Sequence, residues 1–310
     1  MKILVTGGAG FIGSHVVDKY ISLGHDVVVI VNLSTGKERN INKKALFYQI
    51  DICNKNIEFI IEKEKPDILN HHAAQISVPA SVKNPILDAE INVLGFLNLL
   101  QNCVKYNLKK VIFISSGGAI YGEAEEFPTS ETYQPIPLSP YAIHKFVSEK
   151  YLHYYYTKYN LNYTTLRYAN VYGPRQMPEG EAGVVSIFIN RLLKEEASCI
   201  YTYKSEPEGM IRDYVYVNDV VRANVLALDS ANTEAINIGT GTQTTTLCLY
   251  NEISKQLNKR IKPLFDEPRP GDIRKSCLNI EKAKNILNWM PEYSLEQGIK
   301  DTIENYQIKI

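Results

Sequence analysis

The run Thr6-Gly7-Gly8-Ala9-Gly10-Phe11-Ile12-Gly13 follows the apolar stretch Ile3 to Thr6 and opens a helical pattern that continues to about Leu23. Glycines between a first strand and a first helix let the backbone come close to a pyrophosphate. The helix N-terminus then turns free N–H groups and a partial positive charge toward that anion. A glycine triplet in isolation marks any tight turn; its place between strand and helix makes it a dinucleotide site. Gly7, Gly10, Phe11, Ile12 and Gly13 are its candidate residues.

Outward from this turn, short β-rich runs alternate with longer helical patterns. Asp26 to Val31, Ala45 to Ile50, Asp67 to Asn70, Lys110 to Ser115 and Tyr163 to Arg167 read as further strands. The segments between them are long enough for crossover helices, which predicts an α/β fold with a doubly wound parallel sheet. After Tyr168 the pattern loosens into glycine- and proline-containing loops, a helix near Val184 to Lys194, and shorter alternations. The expected organisation is a dinucleotide-binding domain over 1–170 that also receives about 213–238. A smaller, interleaved C-terminal substrate domain takes 171–212 and 239–310. Tyr214 to Val217 and Ala235 to Ile238 are the runs expected to return to the main sheet.

At the end of the second strand an acidic residue, about 20 residues beyond the glycines, ordinarily accepts hydrogen bonds from the adenosine ribose. Here Val31 and then Asn32 hold that place. Valine cannot accept, so Asn32, Ser34 or Thr35 would have to take over, with Gly36 closing the turn. Lys37 and Arg39 stand nearby as conceivable partners of a 2′-phosphate, although a solvated loop explains them as well. Asp51, after the third strand, suits either adenine or a helix N-cap.

Ser139-Pro140 is a strong helix start, and it is followed by Tyr141-Ala142-Ile143-His144-Lys145. Tyrosine and lysine four apart share a helix face. A phenol ionises near pH 10 when unperturbed, and a neighbouring ammonium favours its ionised form. Tyr141 is therefore the candidate general base, with Lys145 as its support. The fifth strand ends in Ser115-Ser116-Gly117-Gly118-Ala119-Ile120-Tyr121-Gly122. Strand carboxyl ends face the crevice of such a sheet, and Ser116 is preferred over Ser115 as the hydroxyl that meets the reacting carbon. His71 and His72 lack a third ligand at metal-binding spacing and read as packing groups near the cofactor.

Composition limits the alternatives. The chain has 310 residues, 45% apolar, with 34 Lys plus Arg balancing 34 Asp plus Glu, so bulk charge favours neither nucleic acid nor an anionic membrane. Five scattered cysteines without a C-x-x-C pair fit a reducing compartment. No apolar run approaches the roughly 18 residues of a membrane span, and the first residues already read as a strand. The cytoplasm is the expected location.

Taken in order, the glycine turn, His71-His72-Ala73-Ala74-Gln75, the Ser115 to Gly122 strand end, Tyr141-x-x-x-Lys145, Arg167 to Arg175 and Arg212-Asp213-Tyr214-Val215 resemble the extended short-chain dehydrogenases, whose nucleotide domain is a Rossmann fold. The resemblance spans nearly the whole chain. In detail it is similar to the UDP-glucose 4-epimerase branch, through Asn32-Leu33-Ser34-Thr35-Gly36 and Arg269-Pro270-Gly271-Asp272. It implies bound NAD, reversible epimerisation at C4 of a UDP-hexose, and a cofactor lining of Ile52, Ala73, Ala74, Gln75, Asn92, Ser115 and Tyr168. It also implies Asn170, Val185, Arg212, Arg269 and Asp272 around UDP, and Ser276 where a small residue leaves room for an N-acetyl group at C2.

The same resemblance implies a homodimer built on a helix from Pro79 to Tyr106 and one from Ser139 to Lys158. Its contacts would come from Ile86, Ile91, Leu94, Leu97, Leu100, Tyr151, Tyr154 and Tyr155. The stretch Tyr201 to Met210 departs from the family's short turn and should approach uridine differently. Other readings are a UDP-uronate or UDP-pentose 4-epimerase, a nucleotide-sugar dehydratase or decarboxylase, and a non-catalytic dinucleotide sensor. Dehydratases of this type resemble one another in an Asp-Glu pair after the strand-end hydroxyl, whereas Gly117-Gly118-Ala119-Ile120 supply no acid.

Overall fold

β2 (Asp26–Val31) shows why the central sheet forms: it reads Asp-Val-Val-Val-Ile-Val, and all but its first residue are buried. A strand buried on both faces, rich in β-branched residues, belongs inside a parallel sheet. The computed structural model describes residues 1–178, 183–268 and 272–307. Its main sheet has seven strands in the order β11-β6-β5-β4-β1-β2-β3, all in parallel pairs. The other members are β1 (Lys2–Thr6), β3 (Leu46–Gln49), β4 (Ile68–His71), β5 (Lys110–Ser116), β6 (Asn162–Tyr168) and β11 (Glu234–Ile238).

The chain runs outward from β1 through β2 to β3, then returns to the other side of β1 with β4. That reversal opens a crevice at the carboxyl ends of β1 and β4. Strand alternation divides the core in two. Ile3, Val5, Val27 and Val29 pack on one face with α1 (Phe11–Ser22) and α8 (Val217–Leu226). Leu4, Val28, Ile30 and Leu69 pack on the other with α2 (Ile57–Glu64), α5 (Gly95–Lys105) and α6 (Pro140–Tyr159).

Three expectations require correction. The segment from Pro79 to Tyr106 is not one helix but α3 (Val78–Lys83), α4 (Pro85–Ala89), a π-helical turn Glu90–Leu94, and α5. The cause is Pro85: a proline disfavours helical backbone in the residue before it, and Asn84 at φ −141° instead caps the new helix through Leu87 N–H. Within the expected interface, Leu100 is fully buried and Tyr155 nearly so, both in the core beneath α5 and α6. Finally, β10 (Tyr214–Tyr216) does not join the main sheet; it pairs in parallel with β7 (Asn170–Tyr172) in a separate ribbon. β11 alone of the two runs returns to the main sheet, beside β6.

Candidate active site

The glycine turn is shaped for close approach. Gly7 has φ +71°, and a Cβ there would sit 2.7 Å from Ala73 N, so the loop after β4 lies directly on the turn. A Cβ at Gly13 would meet the Gly7 carbonyl at 2.5 Å. α1 begins after Gly10 with no side-chain cap and no acidic residue in its first turn. Its N–H groups and positive end are therefore left for an anion, and these residues fit the pyrophosphate of a dinucleotide.

The ribose end is built from different material. Val31 is buried against the core, and Asn32 is exposed, with its amide nitrogen donating to Asp51 Oδ2 at 2.7 Å. Asn32 Oδ1 accepts from both the N–H and the hydroxyl of Ser34. Gly36 lies against Ala9, whose carbonyl accepts the Lys37 N–H at 3.0 Å, so the loop folds back on the glycine turn with Thr35 exposed. Asp51 caps no helix: it accepts from Cys53 N–H, and these hydrogen bonds hold its carboxyl below the usual range although burial alone would raise it. Ile52 is buried beneath Gly95, where any Cβ would collide with it.

After β4, Asn92 grips both main-chain groups of Gln75, accepting from its N–H at 3.0 Å and donating to its carbonyl at 2.9 Å. Asn92 thus fixes the Ala73–Ala74–Gln75 loop. Tyr168, expected to line the cofactor, turns its phenol into the core to accept from Asn224 at 2.6 Å. Ser115 is corrected likewise: its hydroxyl donates to Glu149 at 2.6 Å, on the α6 side of the sheet. Successive strand residues face opposite ways, and Ser116 is hydrogen-bonded to Tyr141.

α6 starts as the Ser139-Pro140 pair requires, with Ser139 Oγ accepting from Ala142 N–H at 3.3 Å. Lys145 Nζ donates to the Ile114 carbonyl at 2.9 Å and stands 5.9 Å from the centre of the Tyr141 ring. Burial pushes the Tyr141 phenol up to about 12, opposed by the Ser116 hydrogen bond. Burial also brings the Lys145 ammonium down to about 8, with Asp88 and Glu149 acting against it. His71 stacks on Phe96 at 4.7 Å and shares a hydrogen bond with Thr6; it and His72 are held well below the usual histidine range, mainly by burial. Among the described residues no cluster suited to a metal ion occurs.

Beside these groups lies a cavity of about 110 Å³ lined in part by Gly118, Ala119, Ser139, Arg212 and Asp272. Arg212, on β9 (Ile211–Arg212), spends its guanidinium on the carbonyls of Ile211 and Arg274 and on Met210 sulfur. It has no ion pair among the described residues. Asn170 Oδ1 is buried without a hydrogen-bond partner among the described residues and faces Gly118. Val185 is corrected in part: its side chain is core, which leaves only its main chain in the first turn of α7 (Val184–Leu193). Ser276 is nearly buried beside β9, its N–H donating to the Ile211 carbonyl at 3.0 Å. Tyr203, in the departing loop, donates to the Asp272 carbonyl at 2.7 Å and ties the two loops together. Arg269 lies outside the described residues.

A dinucleotide crevice with Ser, Tyr and Lys gathered at its edge defines a class, and comparison with known proteins agrees with it. The model of the NAD dependent epimerase/dehydratase family matches residues 3–239, and the chain belongs to that family. The chain is similar over its whole length to a UDP-glucose 4-epimerase of Thermotoga maritima solved with UDP-glucose, at 50% identity and a TM-score of 0.97, covering 99% of that chain. A Thermus thermophilus UDP-glucose 4-epimerase in complex with NAD is 43% identical, with a TM-score of 0.95 and full coverage of both chains. A UDP-N-acetylglucosamine 4-epimerase from Methanobrevibacter ruminantium, in complex with UDP-N-acetylmuramic acid, is 35% identical with a TM-score of 0.93, covering 100% of this chain and 99% of that one.

Proposed function

We propose that this NAD-dependent enzyme interconverts the C4 epimers of UDP-hexoses, and that Ser116, Tyr141 and Lys145 carry the chemistry. The observation behind this reading is the meeting of those three side chains beside a cavity lined in part by Arg212, which has no ion pair among the described residues. Tyr141 takes the proton from the C4 hydroxyl while Ser116 holds that hydroxyl by hydrogen bonding. NAD, when held by the glycine turn after β1, would supply the acceptor and donor for the C4 hydride. Lys145, anchored on the Ile114 carbonyl, keeps positive charge near the phenol, which burial alone would leave protonated.

Arg212 and Arg269 bind the diphosphate, where planar guanidinium geometry suits phosphate oxygens. Asn170, Asp272 and the Val185 main chain complete the nucleotide pocket. Firm anchoring there, with loose anchoring of the hexose, lets the 4-keto sugar turn over and take hydride on its other face. The residues after Ser116 are Gly117-Gly118-Ala119, which offer no acid for dehydration of the sugar. The nucleotide unit comprises 1–170 and 213–238, and the sugar-nucleotide unit comprises 171–212 and 239–310.

No helix among the described residues is long and apolar enough to cross a membrane; we place the enzyme in the cytoplasm. We also propose a homodimer through α4, the π-helical turn that follows it and α6, where Ile86 (72% exposed), Leu87, Leu94, Ile143 and Tyr154 present apolar surface. Light scattering at micromolar concentration should give twice the chain mass; a monomeric mass refutes the dimer. The activity is tested by incubating the purified protein with UDP-glucose, UDP-galactose, their N-acetylated counterparts, UDP-glucuronate and UDP-xylose, and reading products by NMR. C4 epimers of the hexoses are expected, and conversion of the uronate or pentose alone would displace this reading.

A further inference from the structure

Glu149 and Arg167 form a buried ion pair that the proposed chemistry does not use. Arg167 Nε and Nη2 donate to the two Glu149 oxygens at 3.1 and 2.6 Å. Arg167 Nη1 donates to the Tyr121 phenol at 2.8 Å, and that phenol donates to Asn237 Oδ1 at 2.8 Å. Asn237 in turn donates to the carbonyls of Thr129 and Asn279. Stability does not explain such a pair well, because apolar residues of similar volume often serve a core equally or better. Its position is more informative.

Glu149 lies four residues after Lys145, on the same face of α6. Its carboxylate also holds the hydroxyl of Ser115, the residue before Ser116. Holding Ser115 in this way fixes the backbone at the carboxyl end of β5, from which the next residue, Ser116, reaches the Tyr141 phenol. We infer that Glu149, clamped by Arg167, is a positioning residue for the proposed epimerisation: it fixes the end of β5 and sets a negative charge one helical turn from Lys145.

The other charged and titratable groups facing Lys145 are Asp88 from α4, His71 and His72 from the end of β4, and Tyr141 on α6. Asp88 is unchanged in every variant below. In Glu149→Gln an anion is lost while the Arg167 cation stays, so the Lys145 ammonium is disfavoured. Its titration, brought to about 8 in the parent, moves lower. The alkaline limb of the kcat profile should shift down by about one pH unit, lowering kcat near pH 8 by about 5-fold and by about 10-fold well above it. UDP affinity should hold. Glu149→Gln combined with Arg167→Met removes both charges and should return the limb to within about 0.3 unit of the parent, since the pair is neutral as a whole.

A role limited to packing predicts the opposite pattern: loss of stability, no shift of the limb, and no rescue in the double variant. Should Glu149→Gln fail to fold, Ser115→Ala removes only the hydroxyl link, and kcat should fall about 3- to 10-fold at unchanged UDP affinity. Parental kcat in Ser115→Ala, or a stationary limb in Glu149→Gln, overturns the inference. Lysine side-chain NMR, with Lys145 assigned by its loss in Lys145→Met, follows the titration without turnover. If the parent epimerises no UDP-sugar but Lys145 still shifts in Glu149→Gln, the functional reading fails and the electrostatic role of Glu149 stands.

Discussion

The carboxyl ends of β5 and β2 both open on the cofactor crevice, yet they are built in opposite ways. At β5 Ser115 is locked into a buried chain through Glu149, Arg167, Tyr121 and Asn237, and Lys145 is pinned to a main-chain carbonyl. At β2 the last strand residue is an apolar valine, and the exposed asparagine that follows it is hydrogen-bonded to Ser34 and Asp51. Groups that must meet a reacting carbon within a fraction of an ångström need buried, fully hydrogen-bonded support. Groups that only accept from a ribose can be exchanged on an open loop at modest loss. The difference predicts large effects from changes at β5 and small ones at β2.

The strongest test is Tyr141→Phe. It removes the proposed base without altering the packing of α6, so turnover should fall at least about 100-fold while UDP binding by calorimetry stays parental. Parental turnover would show that another group takes the C4 proton and that the buried end of β5 is only scaffold.

Ser276→Tyr probes the substrate side at intermediate scale. If Ser276, small and nearly buried beside β9, walls the sugar's C2 substituent as proposed, both the N-acetylated and the plain UDP-hexoses should be turned over by the parent. The tyrosine should lower N-acetylated turnover by about 10-fold or more relative to the plain pair, because exclusion of an added group needs a clash. Equal handling of both pairs by parent and variant would remove Ser276 as a gate.

At β2 the expected effect is smallest. Val31→Asp should tighten NAD binding by about 3- to 10-fold, less than the full value of a charged hydrogen bond if Asn32 and Ser34 take part of the ribose role as proposed. It should also lower the melting temperature, since the new carboxyl enters a place where valine packs in the core. Unchanged affinity in a fluorescence titration of NADH would mean that the Asn32 loop already supplies all the ribose acceptors. A larger gain would make the ribose end as demanding as the catalytic end and erase the comparison.

Much of the molecule was legible in the chain because its chemistry is local. The glycine turn, the Ser139-Pro140 helix start and the Tyr141–Lys145 spacing are complete within a few residues, and strand composition announces the parallel sheet. What was missed depends on partners distant in sequence. Asn224 takes the Tyr168 phenol and the main chain of Gln75 takes Asn92, contacts that no short spacing announces. Leu100 and Tyr155 look like interface groups until the phases of α5 and α6 turn them inward. Pro85 was the one local signal left unread, a helix break visible in the sequence itself.

The sequence by itself determined the fold class, the dinucleotide turn and the residue types available for proton transfer, since backbone propensity, period and short spacing are properties of neighbouring residues. Only the tertiary structure decided which serine faces Tyr141, that Arg212 stands without an ion pair among the described residues, and that Glu149 meets Arg167. Each of these follows from which side of a strand or helix is turned to another element, and that orientation is settled when distant segments pack together.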